Sequence, residues 1–357
     1  MPRSLKGFGD HLMTVPHVLI VGVGSAGRRH AKNLTTLGTM VSCMDPRSDR
    51  LAQAQAEVPS IMGVYESFER AVSEAERFAG VVIASPPSFH VEQTLAFVEQ
   101  RVPVLLEKPI APDLASAQRL EDAVKVHGTP VLLGYTYRWW PPLIELRWRL
   151  KQRVVGPLRS VRFIMSAHLA DWHPWERYQD FFMASRDLGG GALLDESHFI
   201  DLMVWCLGMP EALVGRVEHL SELEMTSDDH VDCWALYPQN LRVSMHLDLY
   251  GRPHEKSITI VGERGTLQCL FDPHVLRYST DASGAWQVTT FPCERNDMFL
   301  AEAREFVSLL AKKPRGALTC TIEDGLQVLR CVEAIRLSTR QEKTIWLSER
   351  CCKVSVS

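Results

Sequence analysis

Six short apolar runs, separated by helix-length segments, occupy the first 135 residues, and no other feature restricts the fold as tightly. They are HVLIVGV (17–23), TMVSCMD (39–45), IMGVY (61–65), GVVIAS (80–85), VPVLLE (102–107) and TPVLLGY (129–135). Between them the patterning predicts helices over 27–38, 47–57, 66–77, 88–100 and 113–127. Strands that are apolar throughout are covered on both faces. Joined by helices they form βαβ units, and so a parallel sheet between two helix layers. The first part of the chain therefore reads as a doubly wound α/β domain.

Beyond about residue 138 the texture changes. LRSVRFIMSAHL, HVDCWALYP, LRVSMHLDLYG and KSITIVGERGTLQCLF read as four strands of mixed polarity. Such strands suit an antiparallel sheet with one packed face and one available face. Terminal helices are predicted over 297–312 and 322–340. The division is thus 1–138, with 1–15 a short extension, and an α+β domain over 139–357. With 357 residues, 46% of them hydrophobic, two ordinary cores can be filled. A net charge of −4 argues against a nucleic-acid partner. No apolar run approaches the roughly 20 residues that span a bilayer. The opening residues MPRSLKGFGDHLMTVP hold no long apolar core and do not read as a secretory signal. Nine cysteines with no C-x-x-C pair suit a reducing cytoplasm. Cys43, Cys206, Cys233 and Cys331 sit in apolar runs, whereas Cys351-Cys352 lie in the tail.

The chemistry begins at VLIVGVGSAGRRH. Gly22-x-Gly24-x-x-Gly27 directly follows a strand and directly opens a helix. In that context the glycines make a tight turn, let backbone approach a pyrophosphate, and let helix pack on strand. The amides of Ser25 and Ala26, at the helix N-terminus, would face phosphate charge. Asp45 ends the second strand, where a carboxylate accepts both ribose hydroxyls of NAD. Arg47, two residues on, would instead meet the 2′-phosphate of NADP. The next crevice loop, IASPPSFH, makes Ser85, Pro86 and His90 cofactor-side candidates. A plain first-turn histidine is the alternative for His90.

The fifth strand ends on Glu107, Lys108 and Pro109, at the sheet edge where ligands of doubly wound folds bind. Burying two charges there without a purpose is costly. An ammonium beside a nicotinamide can bond the reacting oxygen and stabilise alkoxide character. A dry site would lower the Lys108 pKa. Glu107 would hold the lysine or touch the cofactor, and Pro109 would fix the turn, with a cis bond an option. A second charged set lies in LGGGALLDESHFIDLMVWCLG, read as a helix. Asp195, His198 and Asp201 recur every third residue and so share a face, broadly. A histidine there suits proton transfer. Asp195 would orient it or bond a substrate hydroxyl, and Asp201 is the structural member. A satisfied core histidine is the competing reading, and a zinc site lacks a third strong ligand. In the loop before it, Trp172, His173, Trp175 and Arg177, like Tyr137 and Arg138 at the crossover, are side chains that suit sugar faces and phosphates, with core packing an equal reading for each tryptophan.

VGVGSAGRRHAKNL, VVIASPPSFHVEQTL, VLLEKPIA and GGGALLDESHFIDLMVWCLG together resemble the Gfo/Idh/MocA family of glucose–fructose oxidoreductase and inositol dehydrogenase. The resemblance covers roughly residues 16–345. It implies a Rossmann domain followed by a domain with an open, mostly antiparallel sheet. It implies NAD(P)-dependent redox chemistry at a carbinol or ketone carbon of a sugar, nucleotide sugar or cyclitol, in a homodimer or homotetramer. The family's catalytic lysine, histidine and aspartate fall on Lys108, His198 and Asp195. The family's Asp-x-Gly-x-His spacing is one residue shorter here, with Glu196-Ser197 between Asp195 and His198. Two other readings use the same residues: a redox-assisted glycosidase in which NAD⁺ oxidises the sugar transiently, and a non-catalytic dinucleotide-binding sensor.

Overall fold

The computed structural model describes residues 15–172, 177–280, 282–311 and 317–347. The predicted alternation appears as β1 (His17–Val21), α1 (Ser25–Thr36), β2 (Met40–Met44), α2 (Ser48–Glu57), β3 (Gly63–Tyr65), α3 (Phe68–Ser73) and β4 (Gly80–Ile83). It continues through α4 (Pro87–Val98), β5 (Val104–Glu107), α5 (Leu114–His127) and β6 (Val131–Gly134). The six strands form one parallel sheet in the order β3-β2-β1-β4-β5-β6. The order reverses at β1 and β4, so the crevice opens between their carboxyl ends. β4 and β6 are buried at every residue, as strands covered on both faces must be. The helices start and stop on local chemistry. Asp113 caps α5 by accepting from the Ser116 amide, and Gly128 ends it in the left-handed region at φ +66°. Pro86 and Pro87 form the N-terminal boundary of α4.

The second part contains α6 (Pro141–Lys151), β7 (Leu158–Ser166), α7 (Ala192–Asp195), α8 (Ser197–Leu207), β8 (Ala212–Glu218), β9 (His230–Leu236) and β10 (Arg242–Asp248). β11 (Glu255–Gly262), β12 (Gly265–Leu270), β13 (Val275–Ser279), β14 (Gln287–Thr290), α9 (Arg295–Leu310), α10 (Ile322–Gln341) and β15 (Ile345–Trp346) complete it. Nine strands make a sheet in the order β14-β13-β12-β11-β7-β10-β9-β8-β15, antiparallel throughout except for β7 with β10. One face, including Phe163, Met165, Val231, Cys233, Met245 and Ile258, is buried, with α8 and α10 packed in this part of the molecule. The opposite face is open, with Trp234 and Trp346 more than half exposed. Among the described residues no helix is long and apolar enough to cross a membrane.

Two segments differ from what their sequence patterns predict. KSITIVGERGTLQCLF is not one strand but the hairpin β11–β12, reversing at Glu263-Arg264. Gly262 precedes that turn because a Cβ there would lie 2.2 Å from the Val155 carbonyl oxygen. The segment around Asp195 is not one helix either. It breaks at Glu196, with φ −91° and ψ +19°, between α7 and α8.

The last two helices tie the halves together. Asn33 of α1 and Asn296 of α9 exchange amide hydrogen bonds at 2.9 and 3.3 Å. Phe306 and Leu310 of α9 pack so closely on Gly80 of β4 that a Cβ there would lie 2.9 and 2.6 Å from them. Glu302 of α9 is fully buried, and neither carboxyl oxygen has a hydrogen-bond partner. Burial, then the nearby Glu107 and Glu305 carboxylates, push its carboxyl well above the usual range, so it is held neutral. A raised folded-state pKa favours folding at low pH, and that contribution is lost as pH rises above the unfolded value. Glu302→Gln is therefore expected to raise the unfolding free energy at pH 8 by at least about 1 kcal/mol and to have little effect near pH 4.5. Urea unfolding at the two pH values checks it. An equal effect at both would show that charge is not the cause.

Candidate active site

The glycine turn is forced by contact. Gly22 sits at φ +86°, and a Cβ on it would lie 2.7 Å from the Ser85 amide nitrogen. A Cβ on Gly27 would lie 1.9 Å from the Gly22 carbonyl oxygen, so α1 packs directly on the turn. Gly24 faces open space and caps α1 without a side chain, which leaves the first amides of the helix, beginning with Ser25 and Ala26, uncapped by any side chain. Asp45 is buried at the end of β2. Its carboxylate accepts from the Val23 amide at 2.9 Å and the Arg47 amide at 3.0 Å. The acid thus braces the turn while each oxygen keeps a lone pair. The Arg47 guanidinium is exposed and forks onto Asp49. Ser85 donates to the Gln93 amide oxygen at 2.6 Å, and Pro86 caps α4.

His90 is placed differently from the cofactor-side expectation. Its ring is buried between the Pro109 carbonyl at 2.7 Å and the Ser85 carbonyl at 2.8 Å. It sits between two crevice loops, where burial, the larger effect, holds its pKa down while the two carbonyls, which only a protonated ring could satisfy together, favour the charged form. The Lys108–Pro109 peptide beside it is cis.

Glu107 and Lys108 diverge. The Glu107 carboxylate bonds His30 Nε2 of α1 at 2.8 Å, not Lys108. Burial raises its pKa, but His30 and the Lys108 charge outweigh this and hold it below the ordinary range. Lys108 reaches across to the second part of the chain. Its Nζ donates to the Asp195 carbonyl at 2.5 Å and to Asp195 Oδ1 at 2.9 Å. Burial alone would lower its pKa, but Asp195, Glu196 and Glu107 reverse the sign. The lowered lysine pKa expected of a dry site is thus corrected, because the acids move into the site with the lysine.

From Gly191 to Val204 every residue is buried except His198, which is half-buried. Its ring lies 4.8 Å from the Tyr137 ring and 5.7 Å from the Tyr135 ring, centre to centre. Its Nδ1 is buried without a hydrogen-bond partner. Burial, reinforced by the Lys108 and Lys256 charges, holds its pKa well below 6.5, so the imidazole is neutral.

Two residues that sequence reading did not select complete the cluster. Glu196, at the helix break, is buried with Oε2 unpartnered and Oε1 3.6 Å from Lys256 Nζ. Burial pushes its carboxyl up. The Lys256 ammonium lies 5.8 Å from the centre of the Trp172 ring. A signal for Lys256 existed. It is in phase with the inward-facing Ile258 and Ile260, and it pairs with Met165.

The other candidates separate. Tyr137 packs on His198 and Phe271, beside the cluster. Arg138 does not line a pocket. Its guanidinium is buried on Asp201, with contacts of 2.7 to 3.1 Å, and also reaches Asp324 and the Thr319 carbonyl. Arginine at the crossover was read as a sugar ligand, but the partner that claims it, Asp201, lies on a helix 63 residues away. Asp201 is the structural member of its trio, as its position along the helix predicts. Arg177 is exposed, and His173 and Trp175 lie outside the described residues.

A doubly wound domain with an uncapped glycine turn, whose Lys108 bonds Asp195 of an open-sheet domain that also supplies His198, defines a two-domain, dinucleotide-binding oxidoreductase scaffold. The chain belongs to the GFO/IDH/MocA oxidoreductase family. The family model described as "Oxidoreductase family, NAD-binding Rossmann fold" matches residues 17–135, and the GFO/IDH/MocA C-terminal domain matches 143–268. Among curated proteins it is similar to myo-inositol dehydrogenase Hyg17 of Streptomyces leeuwenhoekii, 29% identical over 195 residues, covering 54% of this chain and 55% of that protein. It is also similar to inositol 2-dehydrogenase of Leifsonia xyli subsp. xyli, 28% identical over 209 residues, 57% of each. The chain thus spans about half the length of these curated relatives. Two solved structures share the fold. Levoglucosan dehydrogenase with NADH and levoglucosan superposes with TM-score 0.81 at 18% identity, covering 94% of this chain and 100% of that one. WlbA dehydrogenase from Bordetella pertussis, with NADH and UDP-GlcNAcA, gives TM-score 0.76 at 19% identity, covering 94% and 99%.

Proposed function

We propose that this protein is an NAD-dependent dehydrogenase or ketoreductase acting at a secondary carbinol of a sugar, nucleotide sugar or cyclitol. The observation that carries the reading is the Lys108 ammonium of the first sheet, held by Asp195 beside a neutral, half-buried His198. Bound NAD supplies the hydride acceptor or donor. The open Gly24 turn and the uncapped start of α1 suit its pyrophosphate, and the braced Asp45 suits an unphosphorylated ribose, since a carboxylate repels a 2′-phosphate. Ser85, Pro86 and Glu107 border that crevice.

Asp195 takes two of the three ammonium hydrogens of Lys108, leaving the third for the reacting oxygen. Because its pKa is raised, Lys108 serves as a charged donor that stabilises alkoxide character, not as a base. His198 accepts the hydroxyl proton on oxidation and returns it on reduction. Asp195 is the positioning residue that aims the lysine. Lys256, Trp172 and Tyr137 suit a ring bearing several hydroxyls, and the names of the relatives agree with such a substrate. The exposed Trp234 and Trp346 on the open sheet suit a homo-oligomer.

The test is a thermal-shift screen of cyclitols, sugars and nucleotide sugars with NAD⁺ or NADP⁺, followed by NADH formation with each ligand that stabilises. A protein that binds NAD but oxidises none of them overturns the enzymatic reading in favour of a sensor. The neutral imidazole also sets a pH dependence. Oxidation needs unprotonated His198, so the acid limb of kcat is expected well below pH 6.5. Lys256→Met, which removes one repelling cation, is expected to move that limb upward. A limb at 6.5 or higher in the parent enzyme contradicts the assignment.

A further inference from the structure

The open face of the second sheet carries a cluster that the crevice does not use. His230-Val231-Asp232 on β9 and His246-Leu247-Asp248 on β10 are two H-x-D runs, and alternation turns all four polar side chains to one face. The strands are antiparallel, with His246 opposite Asp232 and Asp248 opposite His230. His230 Nε2 lies 3.1 Å from Asp232 Oδ2, and His246 Nδ1 lies 2.7 Å from Asp232 Oδ1. The three residues offer one ligand atom each, all within 4.8 Å of one another.

We propose that His230, Asp232 and His246 bind a divalent transition-metal ion of the zinc class. Ions of this class bond imidazole and carboxylate at about 2.0–2.2 Å, which needs ligand atoms a few ångströms apart, as these are. Two imidazoles and one carboxylate favour zinc, cobalt or nickel over magnesium or calcium, which prefer all-oxygen shells. The far nitrogens carry the outer support that metal-binding histidines have. His246 Nε2 meets Asp248 Oδ2 at 2.9 Å, and His230 Nδ1 meets the Tyr250 hydroxyl at 2.7 Å. Asp248 is itself buried and fixed by the Tyr250 and Gly251 amides at 3.1 and 2.6 Å. Both rings are thus oriented from behind, with their inner nitrogens converging on Asp232.

Other charges on the face are compatible. On β8, Glu218 lies opposite His230, and Arg216 lies opposite Asp232 but bonds Glu342. Asp232 is more than half exposed in the single chain, so an ion can enter from solvent before a second copy covers the open sheet. Three protein ligands leave a fourth position for water or an outside group. The bound ion would cross-link β9 to β10 on the face away from Lys108 and His198.

The experiment titrates the tag-free, chelator-treated full chain with Co²⁺ and follows its visible absorption, with Zn²⁺ calorimetry alongside. One saturating equivalent per chain is expected, with a tetrahedral Co²⁺ spectrum lacking thiolate charge transfer. His230→Ala and His246→Ala are each expected to weaken it by about 100-fold or more, and Asp248→Asn by about 10–100-fold. NADH binding in each variant shows that it has folded. No saturating equivalent in the parent protein overturns the proposal, and makes the cluster an imidazolium clamped by carboxylates. An equivalent that persists in both histidine variants also overturns it, since it then belongs to cysteines elsewhere.

Discussion

Replacing Lys108 with methionine is expected to cut kcat by about 10³-fold or more, and replacing His198 with alanine by about 10²–10⁴-fold, with NADH affinity nearly unchanged in both. The magnitudes follow from the roles. Lys108 offers one N–H to the oxygen on which charge develops, and it works from a site where few waters compete. His198 moves one proton, and a lone base contributes a factor of that order. The Lys108 variant carries a second cost, because it leaves Asp195 buried without its cation. Lys108→Met/Asp195→Asn separates the two effects. It is expected to recover the unfolding midpoint but not the turnover. Stopped-flow NADH formation and fluorescence titration of NADH make the comparison. Full turnover in either single variant removes the catalytic assignment, whereas loss of NADH binding would mean that the residue holds the cofactor instead.

Arg138→Met is expected to lower the unfolding free energy by about 3–5 kcal/mol. Asp201 is fully buried, and its carboxylate takes three contacts from the Arg138 guanidinium between 2.7 and 3.1 Å. Burial already pushes the Asp201 carboxyl up to about 6 against the pull of Arg138, so removing the cation leaves it buried without its partner and forces it to take up a proton. Arg138 also bonds the Thr319 carbonyl and Asp324, at the start of α10, so the loss reaches the helix that closes both halves. The paired change Arg138→Met/Asp201→Leu is expected to restore most of the loss, since an apolar pair of similar volume carries no desolvation cost. Urea unfolding of the parent, the two single variants and the double variant completes the cycle. A single variant within about 1 kcal/mol of the parent would return Arg138 to the pocket-lining role that the sequence invited.

The legible part of this molecule was the part governed by local rules. The order of six strands and five helices follows from runs such as GVVIAS and VPVLLE, because a strand covered on both faces admits few polar residues. The Gly22-Gly24-Gly27 turn was legible because backbone contacts at 1.9 and 2.7 Å exclude every side chain at two of its three positions. The β11–β12 hairpin was misread because Glu263-Arg264 interrupts a polarity pattern that otherwise continues. Lys256 was legible in phase but not in purpose, since its partner Glu196 lies 60 residues away. His90 and Arg138 were misassigned for one shared reason. Each is a polar side chain near a ligand-bearing edge, and each is consumed by a distant group, a backbone carbonyl for one and a buried carboxylate for the other.

Sequence by itself determined the architecture, the glycine turn and the identity of the charged residues near the crevice, because strand periodicity and turn geometry act over a few neighbouring residues. Only the tertiary structure decided which charge meets which. Glu107 turned to His30, Lys108 to Asp195, Arg138 to Asp201 and Glu196 towards Lys256. Those choices set the charged lysine and the neutral histidine, because a pKa depends on burial and on charges brought together through space, and spacing along the chain encodes neither.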